Sequence, residues 1–150
     1  MTTPDHARLN DQLCFALYAA SRAISGAYRQ LLADIGLTYP QYLAMLSLWE
    51  KDGQSVAELG DALDLESSTL SPLIRRLESL GLVRRRRSDE DERMVHVHLT
   101  EAGRALESRS TPVREQVETS TGLSNDAFVT LRETLHDLRA TVQATSRAPL

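Results

Sequence analysis

Residues 55 to 99 spell out two helices a three-residue turn apart, followed by a basic hairpin, and few folds accept that order. Ser55-Val-Ala-Glu58 has capping-box spacing, with Ser55 as N-cap and Glu58 at N3. It opens a short helix through about Leu63, with Val56, Leu59 and Leu63 inward. Asp64-Leu65-Glu66 reads as a tight turn. A longer helix over 67–80 turns Leu70, Leu73, Ile74, Leu77 and Leu80 inward, and Gly81 suits its C′ stop. Residues 82–87 read as a strand, 88–92 as a polar turn, and 94–99 as a second strand with Val95, Val97 and Leu99 on one face.

The rest of the chain is helical in pattern. Apolar residues recur at helical spacing from Leu9 to about Ile35, and Gly36 ends the run. Thr38-Tyr39-Pro40 opens another helix, with Pro40 near N1 and Tyr42, Leu43, Leu46 and Trp49 toward the core, stopping at Asp52-Gly53. Thr100 caps a helix over 101–119 that is disturbed near Pro112. The last helix opens at Leu123-Ser124-Asn125. Its Phe128, Leu131, Leu135, Leu138 and Val142 alternate at three and four residues, a seam that wants a partner helix. Residues 144–150 read as a frayed tail. The expected fold is mainly α with a small β-hairpin wing: a winged helix-turn-helix plus a helical dimerisation region. Residues 1–35 are expected to form a dimerisation and sensor helix, 36–99 the DNA-binding region and 100–150 the C-terminal dimerisation helices, all within one compact domain per chain.

Composition narrows the functional classes. With 41% hydrophobic and 25% charged residues the chain suits a soluble globular protein. No apolar run approaches the roughly 18 residues of a membrane span, and residues 1–10 are polar, without a signal core. A cytoplasmic protein with no membrane partner is expected. The single cysteine, Cys14, excludes an intrachain disulfide and any multi-cysteine metal site. The net charge of −4 argues against a nucleic-acid partner, but its distribution argues for one. Residues 67–88 hold Arg75, Arg76, Arg84, Arg85, Arg86 and Arg87 against one acid, Glu78. A basic stripe on an acidic body is an electrostatic footprint for phosphates.

The turn sets the two helices at a steep angle, so the second presents its first turns to a major groove. Exposed there are Ser67, Ser68, Thr69, Ser71 and Pro72, with Arg75 and Arg76 one turn on. Small hydroxyl residues allow close approach to base edges, and the arginines suit a guanine edge or a phosphate. Free N–H groups at this helix start favour phosphate oxygens. The wing carries Arg84 to Arg87, Arg86 among them, and Arg93 just past its tip; a narrow minor groove draws inserted arginine. Asp89-Glu-Asp-Glu92 at the tip is the wrong charge for DNA, and its expected role is to hold Arg93 and its neighbours in position. Two copies on a two-fold axis read half-sites about 34 Å apart, so the expected partner is a pseudo-palindromic double-stranded DNA operator bound by a homodimer.

Leu80-Gly-Leu-Val-Arg-Arg, Ser88-Asp-Glu-Asp-Glu-Arg93 and His98-Leu-Thr-Glu-Ala-Gly103 resemble the wing and wing exit of MarR-family repressors. That resemblance, which covers nearly the whole chain, implies a homodimer whose body is built from the first and last two helices. It implies also that Arg93 reaches the minor groove, tied to Glu66 or Asp91. Within the family, Leu13-Cys14-Phe-Ala-Leu-Tyr18 and Thr38-Tyr-Pro-Gln-Tyr-Leu43 resemble the organic-hydroperoxide sensors, the OhrR type. Carried over residue by residue, Cys14 is the peroxide-reactive cysteine, and Tyr18, Tyr28 and Tyr39 are its candidate phenolic partners.

Helix geometry adds an independent constraint. Cys14 and Tyr18 are four apart and share a face. Cys14 and Tyr28 are about 21 Å apart along a straight helix at about 1.5 Å per residue. Tyr28 therefore reaches Cys14 only on an antiparallel partner chain. A phenol O–H donating to sulfur, and the N–H groups of a helix start, favour the reactive thiolate. With no second cysteine, a sulfenic acid at Cys14 would meet a small cellular thiol as its mixed-disulfide partner, or overoxidise. The expected function is a repressor that releases its operator when an organic hydroperoxide oxidises Cys14. The alternative is a MarR-type repressor released by a small aromatic or phenolic ligand. A one-cysteine thiol peroxidase lacks a second thiol for turnover, so an enzyme is not expected. His96 and His98 share a strand face but have no third ligand at metal spacing, so no metal and no cofactor are expected.

Overall fold

A computed structural model describes residues 7–147. They fall into two units with the boundary after Glu115. In the first unit, a 3-10 turn over Leu9–Asp11 precedes helix α1, Leu13–Leu32, and a second 3-10 turn, Ala33–Ile35, follows it. The single helix expected from Leu9 to Ile35 is thus three pieces, because Gln12 is extended and interrupts it. Gly36 closes the segment in the left-handed region, at φ 75°.

Helix α2, Tyr39–Glu50, opens on a complete capping box: the Gln41 N–H donates to Thr38 Oγ1 at 3.3 Å, and the Thr38 N–H donates to Gln41 Oε1 at 3.0 Å. Its fully buried residues are Gln41, Tyr42, Ala44, Met45 and Leu48, while Leu46 and Trp49 are only partly buried against the core. The expected single stripe fails because α2 is the central helix, packed on more than one side. The buried Gln54 amide donates to the Ser47 and Lys51 carbonyls at 2.9 and 2.8 Å, satisfying acceptors at the end of α2.

Strand β1, Gln54–Ser55, leads into helix α3, Val56–Leu63; helix α4, Ser67–Ser79, follows, then strands β2, Val83–Arg87, and β3, Val95–Leu99. The sheet is antiparallel in the order β1-β3-β2. The expected two-stranded hairpin gains a third strand, two residues long and too short to show a periodicity. At α3 only half of the expected capping box forms: Ser55 Oγ accepts from the Glu58 N–H at 3.1 Å. Asp64 turns the chain at φ 55°, and the Leu65 N–H donates back to the Gly60 carbonyl at 2.9 Å. A Cβ on Gly60 would lie 2.9 Å from the Leu65 carbonyl oxygen, so this turn requires glycine there. In α4, Leu70, Ile74 and Leu77 are buried as expected, but Leu80 lies past the helix end and is 47% exposed.

Helix α5, Glu101–Ser120, continues through Pro112 without a break. Its start is bound to the head at several points. Thr100 Oγ1 accepts from the Gly103 N–H at 3.0 Å and donates to the Gly81 carbonyl at 2.6 Å. The Trp49 indole N–H donates to the Gly103 carbonyl at 2.9 Å. Asp52 accepts from the Gly53 and Leu99 N–H groups and from the Arg104 guanidinium at 2.9, 2.8 and 2.9 Å. A Cβ on Gly103 would collide with the Leu82 carbonyl, which explains the glycine in the wing-exit motif. In the second unit, helix α6 spans Asn125–Arg147 and buries none of its residues. Ser124 caps it, accepting from the Ala127 N–H at 3.2 Å. The fraying expected from residue 144 does not begin before Arg147; residues 148–150, like 1–6, lie outside the described residues.

Candidate DNA interface and thiol site

The groove-reading candidates stand at the start of α4. Ser67, Ser68, Thr69 and Pro72 are exposed, Ser71 is half-buried, and Arg75 and Arg76 are exposed one turn on. The inward residues Leu70, Ile74 and Leu77 fix the helix and so aim this face outward. Arg84, Arg85, Arg86 and Arg87 are all exposed on β2. They are not equivalent. Glu78 accepts from the Arg85 main-chain N–H at 2.9 Å and from its guanidinium at 3.2 and 3.0 Å. These bonds, first the main-chain one, hold the Glu78 carboxyl below its ordinary range. The one acid in the basic window therefore ties α4 to the wing and engages the Arg85 guanidinium.

At the wing tip, Ser88 Oγ accepts from the Glu90 N–H at 3.2 Å, and Asp91 accepts from the Arg93 N–H at 3.0 Å. Of the four tip acids only Asp91 has such a bond among the described residues, and it holds the Arg93 main chain rather than its guanidinium. Among the described residues the Arg93 guanidinium pairs with neither Glu66 nor Asp91, the link the family resemblance implied. Arg93 instead borders a groove of about 300 Å³ between α4 and the wing, lined also by Ser71, Ile74, Arg75 and Met94. Arg86 lies on the opposite sheet face, across from His96. The His96 ring bonds the Gly53 carbonyl at 3.1 Å, and no metal cluster exists among the described residues.

Cys14 is exposed, in the first turn of α1. No side chain caps that turn, so its unbonded N–H groups favour a negative charge there. Tyr18 lies one turn on, 59% exposed, with the Arg22 guanidinium 5.5 Å from its ring centre. Tyr28 and Tyr39 are elsewhere. Their rings lie 5.0 Å apart, near the other end of α1. Burial pushes the Tyr39 phenol above its ordinary value. The structure thus brings Tyr28 and Tyr39 together and separates them from Cys14 of the same chain, because α1 is continuous between them. Tyr42 joins the cluster, 5.4 Å from Tyr28 and 6.4 Å from Tyr39. The sequence places Tyr42 in the core but hides this stacking; its spacing of three from Tyr39 on one helix is the available signal.

The two residues flanking Cys14 are apolar and open: Leu13 is 63% and Phe15 is 37% exposed, and Ile24 further along α1 is also exposed. In the second unit Leu131 is 47% and Val142 is 55% exposed, both members of the expected seam.

Residues 27–109 match the family described as transcriptional regulator SarA/Rot. The chain is 46% identical to the HTH-type transcriptional regulator TtmR of Methylorubrum extorquens, over 93% of this chain and 72% of that one. It is 44% identical to the organic hydroperoxide resistance transcriptional regulator of Bacillus subtilis, over 88% of this chain and 95% of the relative. Among solved structures it resembles reduced AbfR bound to DNA, with TM-score 0.79 and 33% identity over 96% of this chain and 99% of that one. A family match over more than half its length, with relatives this similar along most of it, means that the chain belongs to the MarR-type winged-helix transcriptional regulators.

Proposed function

We propose that two copies of this chain form a cytoplasmic repressor that holds a pseudo-palindromic operator while reduced and releases it when an organic hydroperoxide oxidises Cys14. The observation that carries the reading is the split of the thiol site. Cys14 stands exposed near the start of α1, while Tyr28 stands about 21 Å further along α1 at about 1.5 Å per residue, clustered with Tyr39 of α2. An antiparallel partner helix laid along α1 brings the phenols of one protomer to the sulfur of the other. It also covers Leu13 and Ile24, which share a face of α1 and whose exposure in water is unfavourable. The likeness to a hydroperoxide resistance regulator supports the same reading.

In the chemistry, the thiolate attacks one peroxide oxygen, the O–O bond breaks, and the departing alkoxide takes a proton to leave as alcohol. Cys14 becomes a sulfenic acid. A small cellular thiol then condenses with it, releasing water and forming a mixed disulfide; a second thiol restores Cys14. On the DNA side, Ser67, Ser68, Thr69, Ser71 and Pro72 approach base edges, Arg75 and Arg76 take a guanine or phosphate, and Arg86 and Arg93 serve the wing. The division into a sensor helix over 1–35, a reading head over 36–99 and C-terminal dimerisation helices over 100–150 belongs to the same proposal.

The test is a gel shift on the DNA upstream of its own gene. Wild type is expected to leave that DNA on cumene hydroperoxide treatment and Cys14→Ser to stay; a Cys14→Ser protein that leaves equally well would end the sensing claim. One feature favours a second reading, release by a small aromatic acid. The groove between α4 and the wing pairs an apolar floor with Arg75 and Arg93. Release by such a ligand under fully reducing conditions would favour it.

A further inference from the structure

We infer that Tyr42 and Trp49 form the strut through which the phenol cluster moves the DNA-reading head. Tyr42 positions the sensing phenols, and Trp49 carries their displacement to the start of α5. The inference rests on the peroxide-sensing reading above. It starts from a bond that core packing does not require. Trp49 is partly buried against the core, where a phenylalanine would fill similar space, yet its indole N–H reaches a main-chain carbonyl at Gly103.

The contacts are continuous. Tyr42 is 1% exposed, and its ring lies 5.4 Å from Tyr28, 6.4 Å from Tyr39 and 6.5 Å from Trp49, edge-on to the indole. A close-packed interior has little room to absorb a displaced ring, so movement passes to the neighbour. Trp49 then holds Gly103 at 2.9 Å. Gly103 sits so tightly on the Leu82 carbonyl that a Cβ would collide, so these two segments move together. Thr100 completes the junction: its hydroxyl bonds Gly81 at 2.6 Å and its N–H bonds the Leu82 carbonyl at 3.0 Å. Gly81 and Leu82 in turn donate to the Glu78 and Leu77 carbonyls, at 2.9 and 3.0 Å, closing the end of α4. A shift of the phenols therefore arrives where the recognition helix ends and the wing begins. Allosteric coupling of this kind is a difference in contact energy between two states, and cutting a connecting bond weakens it.

The experiment uses Trp49→Phe and the wild-type protein with the operator duplex and cumene hydroperoxide. Three quantities are read: reduced-state affinity, the rate of sulfenic acid formation at Cys14 by mass spectrometry, and affinity after oxidation. The variant is expected to bind within about threefold of wild type when reduced and to oxidise at the wild-type rate. Its loss of affinity on oxidation should be at least about tenfold smaller, within the span of ordinary allosteric couplings. Release equal to wild type would overturn the strut, and so would a reduced-state affinity already down more than about tenfold, which marks a purely structural role. Trp49 is the only tryptophan, so wild-type fluorescence gives a reading that does not depend on the variant folding. Its emission should change on oxidation and stay constant in Cys14→Ser; an unchanged wild-type spectrum overturns the strut. If wild-type Cys14 does not oxidise, or its oxidised form stays on DNA, the sensing reading itself falls, and the strut falls with it.

Discussion

The reading head and the helices proposed to pair across the dimer solve opposite problems. The head is complete within one chain: Leu59, Leu70, Ile74, Leu77, Val83 and Val97 are at most 1% exposed, and Asp52 and Glu78 are each held by several hydrogen bonds. Helix α1 buries only its last residue, Leu32, and α6 buries none, and they leave Leu13, Ile24, Leu131 and Val142 open to water. A rigid head and an unfinished body are what a switch on DNA needs. Under the proposed function, the part that reads keeps its shape, and the part that senses is built from two chains whose relative placement can change.

The largest test of this contrast is Leu131→Asp. A charge in the unpaired seam is expected to leave the head folded but yield a monomer by sedimentation velocity. Operator affinity should fall by about a hundredfold or more, since the second half-site no longer binds at high effective concentration. Leu70→Ala probes the other side. A cavity in the finished core should cost about 2–5 kcal/mol in denaturant unfolding without changing the oligomeric state. A Leu70→Ala protein that dissociated before it unfolded would erase the distinction between the two regions.

Smaller effects sharpen the account of the head. Arg75→Ala and Arg76→Ala are expected to weaken binding across operator sequences and to reduce the salt slope by about one where a phosphate contact is lost. Arg85→Ala should change the salt slope less, because that guanidinium is already engaged by Glu78. The head should also be acid-sensitive. Partial burial acts to raise the Asp52 carboxyl, but bonds from Leu99, Arg104 and Gly53 and the Arg104 charge together hold it low. The Arg85 bonds hold Glu78 low as well. Carboxyls lowered on folding contribute stability that is fully present above their unfolded values and is lost as pH falls through the folded ones. The melting temperature should therefore drop below about pH 4, and Asp52→Asn should flatten that drop. Glu58→Gln, which breaks only the exposed 3.6 Å pair with Lys51, should cost under about 0.5 kcal/mol.

Much of the head is legible in the sequence because its elements are local. The 64–66 turn, the inward Leu70, Ile74 and Leu77, and the Gly36 stop all follow from spacing and capping chemistry within a few residues. What escapes is long-range or too short for a period. Strand β1 is two residues and exists only because β3 lies beside it. The Glu78–Arg85 tie and the Trp49–Gly103 bond join residues 7 and 54 positions apart. Leu43 and Trp49 look like one stripe of α2 until the surrounding elements pack that helix on several sides. At the candidate site the residue types are legible, and so is the impossibility of Cys14 meeting its own Tyr28. The Tyr42 ring completing the phenol stack is not, since three side chains from two helices make it.

The central claim is that the sulfur of one chain works with the phenols of the other, and mixed dimers test it most directly. One dimer pairs Cys14→Ser with a chain carrying Tyr28→Phe and Tyr39→Phe, so that its remaining cysteine faces intact phenols across the interface. The other pairs wild type with a chain carrying all three substitutions, so that its remaining cysteine faces none. The account predicts rapid oxidation by cumene hydroperoxide in the first and slow oxidation in the second. Equal rates, or the reverse order, would contradict it.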